Sequence, residues 1–287
     1  MLTKAAGLPA DQVFLDLEDS VAPLEKEAAR DTVVKALHEL DWGDKIRVVR
    51  VNAMDSHYTY RDVVSVVEAA GDALDCVMLP KVQSAAEVRW LDMTLRQIED
   101  TMGFERRIGI EAQIENAIGL INVEEIAFAS DRLQTIIFGP GDFAASLGMP
   151  HLTVGAPQEG YPGDHWHYVL FKIVCAARAA GVEAIDGPYA LIRDPDGFRE
   201  MATRSKLLGF DGKWALHPDQ VGICNEVYSP TQGEYERAEA ILEAYAHATE
   251  VEGRGAVMFG DEMIDEASRK MAEKVALKGR RAGMRMG

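Results

Sequence analysis

Leu133–Asp142 reads LQTIIFGPGD: an apolar, β-branched run to Phe138, a Gly-Pro-Gly turn, then an aspartate. A strand buried on both faces reads this way, nearly continuous in Val, Ile and Leu until it meets a polar rim. The run before it, Ile108–Glu115 (IGIEAQIE), ends in a glutamate. Outward from this pair, similar runs recur at Val13–Asp19, Ile46–Asn52, Cys76–Lys81, Ala184–Ala190 and Lys213–Pro218. Between them lie stretches with helical spacing: Glu25–Leu40, Tyr60–Ala70, Ala85–Met102, Val123–Ser130, His167–Ala180 and Pro195–Leu208. The last has a proline suited to the first turn and Gly209 as a stop. Strand–helix alternation predicts parallel strands joined by right-handed crossovers, and seven strands are expected. The length, 287 residues, suits an α/β barrel, which takes about 250. After Pro218 the pattern turns helical, at Gly233–Val251 and Asp261–Lys278, before a Gly/Arg-rich tail, GRRAGMRMG, expected to fray. Thr153–Asp164, rich in Gly and Pro, is the longest irregular segment and reads as an active-site loop.

Hydrophobic residues make up 47% and charged residues 27%, a composition able to build a soluble core. No window approaches the roughly 20 apolar residues of a membrane span. No apolar leader follows Met1, so no signal peptide is expected. Three cysteines, Cys76, Cys175 and Cys224, are too scattered for a disulfide framework or a zinc site. A reducing cytoplasm is the expected location. The net charge of −17 argues against nucleic-acid binding, which needs a basic surface. It also means that an anionic substrate needs a local basic pocket.

Polar groups gather where the strand runs end: Asp16, Glu18, Asp19, Arg50, Asn52, Lys81, Glu115, Asp142, Asp186 and His217. In an α/β barrel, catalytic groups sit at these C-terminal strand ends. Any one of them is as easily explained by proximity to solvent. The set is harder to dismiss, because Arg50 and Glu115 each close a strongly apolar run.

Glu115 and Asp142 end successive strands, and adjacent parallel strands lie about 4.8 Å apart. Two such carboxylates can converge on one hard cation. Mg²⁺ commonly takes one or two carboxylates and fills its shell with water and substrate oxygens. The turn containing Gly141 opens a helix whose backbone N–H groups could meet an anion. Arg50 keeps its proton and can donate to an oxygen gaining negative charge; its plain alternative is an ion pair with Glu18 or Asp19. Lys81 follows Pro80 and has acidic neighbours, which favour a charged lysine over a nucleophilic one. His165 and His167 face apart at i, i+2 and read as packing residues. His217 reads as an orderer of the last strand–helix turn. Asp265, on pattern alone, is a carboxylate at a helix N-terminus.

The segments FLDLEDSVAPLEKEAAR, RVVRVN, VMLPKV, IEAQIENAIGL, FGPGDFAASLG, AIDGPYA, GFDGKWALHPDQ and MIDEAS occur in this order. Together they resemble the citrate lyase β-subunit-like family of the HpcH/HpaI aldolase superfamily, over nearly the whole chain. YPGDHWHYVL and AIDGPYA are most similar to its malyl-CoA/β-methylmalyl-CoA lyase branch. The resemblance implies a (β/α)₈ TIM barrel over residues 1–228. It implies a helical extension over 229–287 that contributes to a neighbouring subunit's active site, in a homotrimer or dimer of trimers. It implies Mg²⁺, with Mn²⁺ as a substitute, held by Glu115 and Asp142. Arg50 is then the group that polarises the thioester carbonyl, and Asp265 the acid/base. Glu18, Asp19, Asp16, Asn52, Lys81 and Gly141 support the metal or the substrate. Family members begin with a further strand ahead of the helix matching Leu2–Ala6. The barrel is therefore expected to lack its first strand, through a misassigned start or a truncation.

The expected substrates are an acyl-CoA thioester and a small oxo acid, glyoxylate. The expected reaction is a carbon–carbon lyase reaction of the malyl-CoA type. Alternatives are citramalyl-CoA or citryl-CoA lysis, malyl-CoA hydrolysis by a thioesterase, and a CoA-independent aldolase, against which the long C-terminal extension argues. A non-catalytic subunit or regulator is the alternative of a different class, opposed by the intact Arg50, Glu115, Asp142 and Asp265.

Overall fold

The computed structural model describes residues 2–150, 152–158, 160–251 and 253–287. The chain falls into two compact units, Met1–Cys224 and Asn225–Gly287. The first unit is built on a seven-stranded parallel sheet. Its strands are β1 (Gln12–Asp16), β2 (Ile46–Arg50), β3 (Cys76–Leu79), β4 (Gly109–Ile114), β5 (Leu133–Phe138), β6 (Glu183–Asp186) and β7 (Gly212–Lys213). Short helix α1 (Leu2–Ala6) precedes them, and α2 (Lys26–Glu39), α3 (Thr59–Ala70), α4 (Ala85–Met102), α5 (Ala117–Ile121), α6 (Val123–Ala127), α7 (Pro140–Ser146), α8 (His167–Ala180) and α9 (Pro195–Leu208) connect them. Helix α10 (Pro218–Tyr228) follows β7.

The strands lie in the sheet in chain order. Right-handed crossovers in that order put every connecting helix on the same face. That face carries Leu15, Val49, Val77, Leu79, Ile110, Ala112, Ile114, Ile136 and Phe138, all buried. The alternate residues point inward, as a period of two requires. They form a cluster of Val48, Cys76, Met78 and Ile137 with Phe14, Ile185 and Trp214. Phe14 on β1 stacks on Trp214, next to β7, with ring centroids 4.4 Å apart. Gln12 on β1 donates to Glu111 on β4 at 3.2 Å. Contacts between strands so distant in the sheet order show that the sheet curls strongly.

Several strands end earlier than their apolar runs. After β1, Asp16 turns the chain: its carboxylate accepts the N–H groups of Glu18 at 2.9 Å and Ser20 at 3.1 Å. After β3, Pro80 and a left-handed Lys81 (φ 52°) break the ladder. After β6, the Asp186 carboxylate accepts the Gly187 N–H at 2.8 Å. The side chains that mark these ends are the ones that bend the backbone away.

The second unit contains α11 (Gln232–Glu250), a hairpin of β8 (Val257–Phe259) and β9 (Glu262–Ile264), and α12 (Glu266–Arg281). The hairpin corrects the expectation of continuous helix from Asp261. Gly260, at φ 61°, and Asp261 make a two-residue loop that a helical pattern search does not register. Helix α12 also runs through Gly279–Arg281, so part of the supposedly frayed tail is ordered. Ala238, Ala272 and Ala276 let α11 and α12 approach closely.

Candidate active site

A cleft of about 550 Å³ opens at the C-terminal ends of β3, β4 and β5, and the Arg50, Asp16, Glu18 and Asp19 side chains lie outside its lining. Lys81, Glu115 and Asp142 line it, with Met54, Asp55, Gln83, Glu87, Asn116 and Ser146. Arg50, at the end of β2, donates twice to Asp16, at 2.7 and 2.6 Å. Its Nη1 pairs with Glu18 Oε2 at 3.2 Å, an ion pair without the alignment of a hydrogen bond. The guanidinium carbon lies 5.6 Å from the Phe14 centroid and 5.5 Å from that of Trp214. The stacked rings thus form a floor beneath it. Burial opposes the charge on Arg50, but Asp16, Glu18 and Glu115 raise its pKa further above the ordinary value. Burial likewise pushes Asp16 up, yet Arg50 wins and holds it down at about 2.

Lys81 joins the acidic residues. Its ammonium lies 2.7 Å from Glu18, 3.1 Å from Asp19 and 3.6 Å from Asp142. Its backbone N–H donates to Glu115 Oε2 at 3.0 Å. It is the one non-glycine residue with positive φ among the described residues, the kind of backbone strain that surrounding structure must hold in place. These partners keep the ammonium charged, with a pKa raised despite burial. Asp19 therefore pairs with Lys81, whereas Arg50 takes Asp16 and Glu18.

Glu115 is buried, and each of its oxygens is held. Gln113 donates to Oε1 at 3.0 Å and the Lys81 N–H holds Oε2. A Cβ on Gly139 would overlap its carboxylate, so that glycine lets Glu115 lie across the end of β5. Burial, then the charges of Glu18 and Asp142, push the Glu115 pKa up to about 8 against Arg50 and Lys81. Burial raises Glu18 as well, against the opposing pull of Lys81 and Arg50. Carboxylates crowded this way are short of positive charge. No group of three His, Cys, Asp or Glu dense enough to enclose a metal occurs among the described residues. Two carboxylates opening on a cleft are nevertheless the donor set of a hard cation that keeps its waters, and the residues fit one.

Asn52, Gly141, Asp186 and His217 do not line the cleft. Asn52 accepts from Lys26 at 2.5 Å and donates to Leu17 O at 2.9 Å and to Asp62 at 2.6 Å. This saturated network braces the ends of β1 and β2. Gly141 lies in the first turn of α7, where a Cβ would press on Val154. Asp186 pairs with buried Lys213 at 2.6 Å. His217 accepts the Asp219 N–H at 3.3 Å and orders the turn into α10. His165 packs on Trp166 and His167 stacks on Phe171. No described residue of Thr153–Asp164 lines the cleft, and Glu159 within that segment lies outside the described residues. In the second unit, Asp265 caps α12, its Oδ1 accepting from the N–H groups of Ala267 and Ser268 at 2.9 and 3.1 Å. Gln113 and Gly139 are positions that strand-end reasoning misses. Gln113 was legible as the middle member of Glu111, Gln113, Glu115, alternate residues running along β4 and one position past its end.

Fold and cleft together define an α/β protein with an acidic cleft and a braced guanidinium at the C-terminal rim of a curled parallel sheet. The chain belongs to the HpcH/HpaI aldolase/citrate lyase family, whose sequence model matches residues 1–218. It is 43% identical over 284 residues to L-malyl-CoA/beta-methylmalyl-CoA lyase of Cereibacter sphaeroides, covering 96% of this chain and 89% of that one. It is 36% identical to the malyl-CoA/beta-methylmalyl-CoA/citramalyl-CoA lyase of Chloroflexus aurantiacus, covering 91% and 78%. Among solved structures, it resembles the CitE protein of Mycobacterium tuberculosis in complex with magnesium, acetoacetate and coenzyme A. The TM-score is 0.73 at 30% identity, covering 96% of this chain and 91% of that one. No helix among the described residues is long and apolar enough to cross a membrane.

Proposed function

We propose that this chain is a Mg²⁺-dependent lyase of the reducing cytoplasm that cleaves or forms malyl-CoA, or β-methylmalyl-CoA, from acetyl-CoA, or propionyl-CoA, and glyoxylate. The observation that carries this reading is the meeting of Glu115 and Asp142 on one cleft, bridged by Lys81. The relatives support the substrate class. Resemblance to them continues beyond residue 218, where the family model ends, into the C-terminal extension. That favours a CoA-ester lyase over a CoA-independent aldolase.

Glu115 and Asp142 are the groups that hold Mg²⁺, and Mn²⁺ is its substitute. When bound, the ion supplies Lewis-acid activation of the oxo acid and a template for it. Arg50, braced by Asp16, Glu18 and the Phe14–Trp214 floor, donates to the thioester oxygen as it gains negative charge. Glu18, Asp19 and Lys81 hold the carboxylate array in place. Asp265 of a neighbouring copy moves the proton at the carbon next to the thioester. In this reading residues 1–228 form a (β/α)₈ barrel with one strand position unfilled between β1 and β7. Residues 229–287 complete a neighbour's site in a homotrimer or dimer of trimers. The chain order of the strands and the Phe14–Trp214 stack support the barrel.

The test is incubation with malyl-, β-methylmalyl-, citramalyl- and citryl-CoA, with and without EDTA, followed by assay of oxo acid and free CoA. Glyoxylate released from malyl-CoA in an EDTA-sensitive reaction is the expected result. Malate with free CoA would make the chain a thioesterase, and turnover indifferent to EDTA would remove the metal. Cation-dependent thermal stabilisation without turnover on any ester would make it a non-catalytic subunit.

A further inference from the structure

Gln113 is fully buried on the inward face of β4, two residues before Glu115. A core amide normally uses both ends, because an unpaired polar atom is unfavourable away from water. Asn52 in the same unit does so, with Oδ1 on Lys26 and Nδ2 on Leu17 and Asp62. Gln113 spends its donor end on Glu115 Oε1. Its Oε1 has no hydrogen-bond partner among the described residues. The arrangement thus sacrifices an acceptor to aim a donor at one carboxylate. That carboxylate is held on both oxygens, with Lys81 N–H on the other one and Gly139 clearing its path.

We propose that Gln113 is a positioning residue for the divalent-cation site. Its amide and the strained Lys81 backbone hold the Glu115 carboxylate between two N–H donors. Each oxygen keeps a lone pair for the ion, and the carboxylate plane is set before the ion arrives. Donors behind a metal ligand fix its orientation, and losing one typically weakens metal affinity about 10–100-fold. The inference rests on the reading of Glu115 as a cation ligand.

The experiment measures Mn²⁺ binding by electron paramagnetic resonance, with Mg²⁺ in competition, for the full-length wild type, Gln113→Met and Gln113→Asn. The first variant keeps the volume and removes the donor. The second keeps the amide but withdraws it by one methylene, and its polarity suits the buried layer if Met does not fold. The expected result is a Kd for Mn²⁺ raised about 10–100-fold in both variants, with the cation-free melting temperature nearly unchanged. A Kd equal to that of the wild type in either folded variant would overturn the proposal. So would a lowered melting temperature with an unchanged Kd, which marks Gln113 as a purely structural amide. Absence of Mn²⁺ binding in the wild type itself overturns the cation reading, and this inference with it.

Discussion

A cation that reaches Glu115 has to displace a proton. In the cation-free protein, burial and the charges of Glu18 and Asp142 push this carboxyl from its ordinary 4.5 up to about 8. Metal ligands bind in their deprotonated form, so affinity follows the ionised fraction. With a pKa near 8, about one molecule in ten is ionised at pH 7, a penalty of about 1.4 kcal/mol relative to full ionisation. The apparent Kd for Mg²⁺ or Mn²⁺ should therefore rise about tenfold for each unit that the pH drops below 8, and be flat above it. Binding near neutrality should release close to one proton per ion. Calorimetry in two buffers of different ionisation enthalpy reads both quantities. Glu115→Gln should abolish the pH slope along with most of the affinity. A Kd constant between about pH 6 and 9, with no proton release, would refute the assignment of Glu115 as a crowded, protonated ligand.

Replacement of Arg50 by Lys should lower kcat/KM for malyl-CoA cleavage about 10²–10³-fold. An ammonium cannot reproduce the two aligned bonds to Asp16 and still offer a donor to a thioester oxygen; full activity in a steady-state assay would exclude the role. Gly139→Ala should weaken Mn²⁺ binding about 10–100-fold by driving the Glu115 carboxylate off its line, measured by the same titration. Glu111, buried inside the sheet, has its pKa pushed from 4.5 up to about 7, by burial and then by Glu183, against hydrogen bonds from Gln12 and Thr135. The folded state thus binds the extra proton, so stability should fall by about 3 kcal/mol as pH rises from the ordinary carboxylate range through 7. Glu111→Gln should flatten that slope in chemical denaturation curves. Mixing inactive Arg50→Ala with inactive Asp265→Ala protein should restore partial turnover if the two residues meet across subunits; no recovery after subunit exchange would count against sharing.

Much of this was legible in the order of residues. The apolar runs located the seven strands, because a strand covered on both faces must be apolar along its length. Their polar ends located Arg50, Lys81, Glu115 and Asp142, because groups needing water or a ligand collect where the sheet stops. The β8–β9 hairpin was not legible: it is short, and its Gly260–Asp261 loop interrupts a stretch that reads as helix. The exact strand ends were also hidden. They depend on whether Asp16 and Asp186 turn back onto their own backbones, a choice that composition does not record.

Sequence alone determined the alternation of elements and the kinds of chemical group at the rim. Both follow from short-range rules: side-chain period, turn residues and the need to bury apolar surface. Tertiary structure decided which carboxylate each cation takes, that Lys81 lies among Glu18, Asp19 and Asp142, and that Glu115 is held by Gln113 and cleared by Gly139. It also decided that burial and neighbouring carboxylates push the Glu115 carboxyl up while Arg50 holds that of Asp16 down. Charge state and ligand aim depend on distances between residues far apart in the chain and on water removed by folding, and neither exists until the sheet has curled.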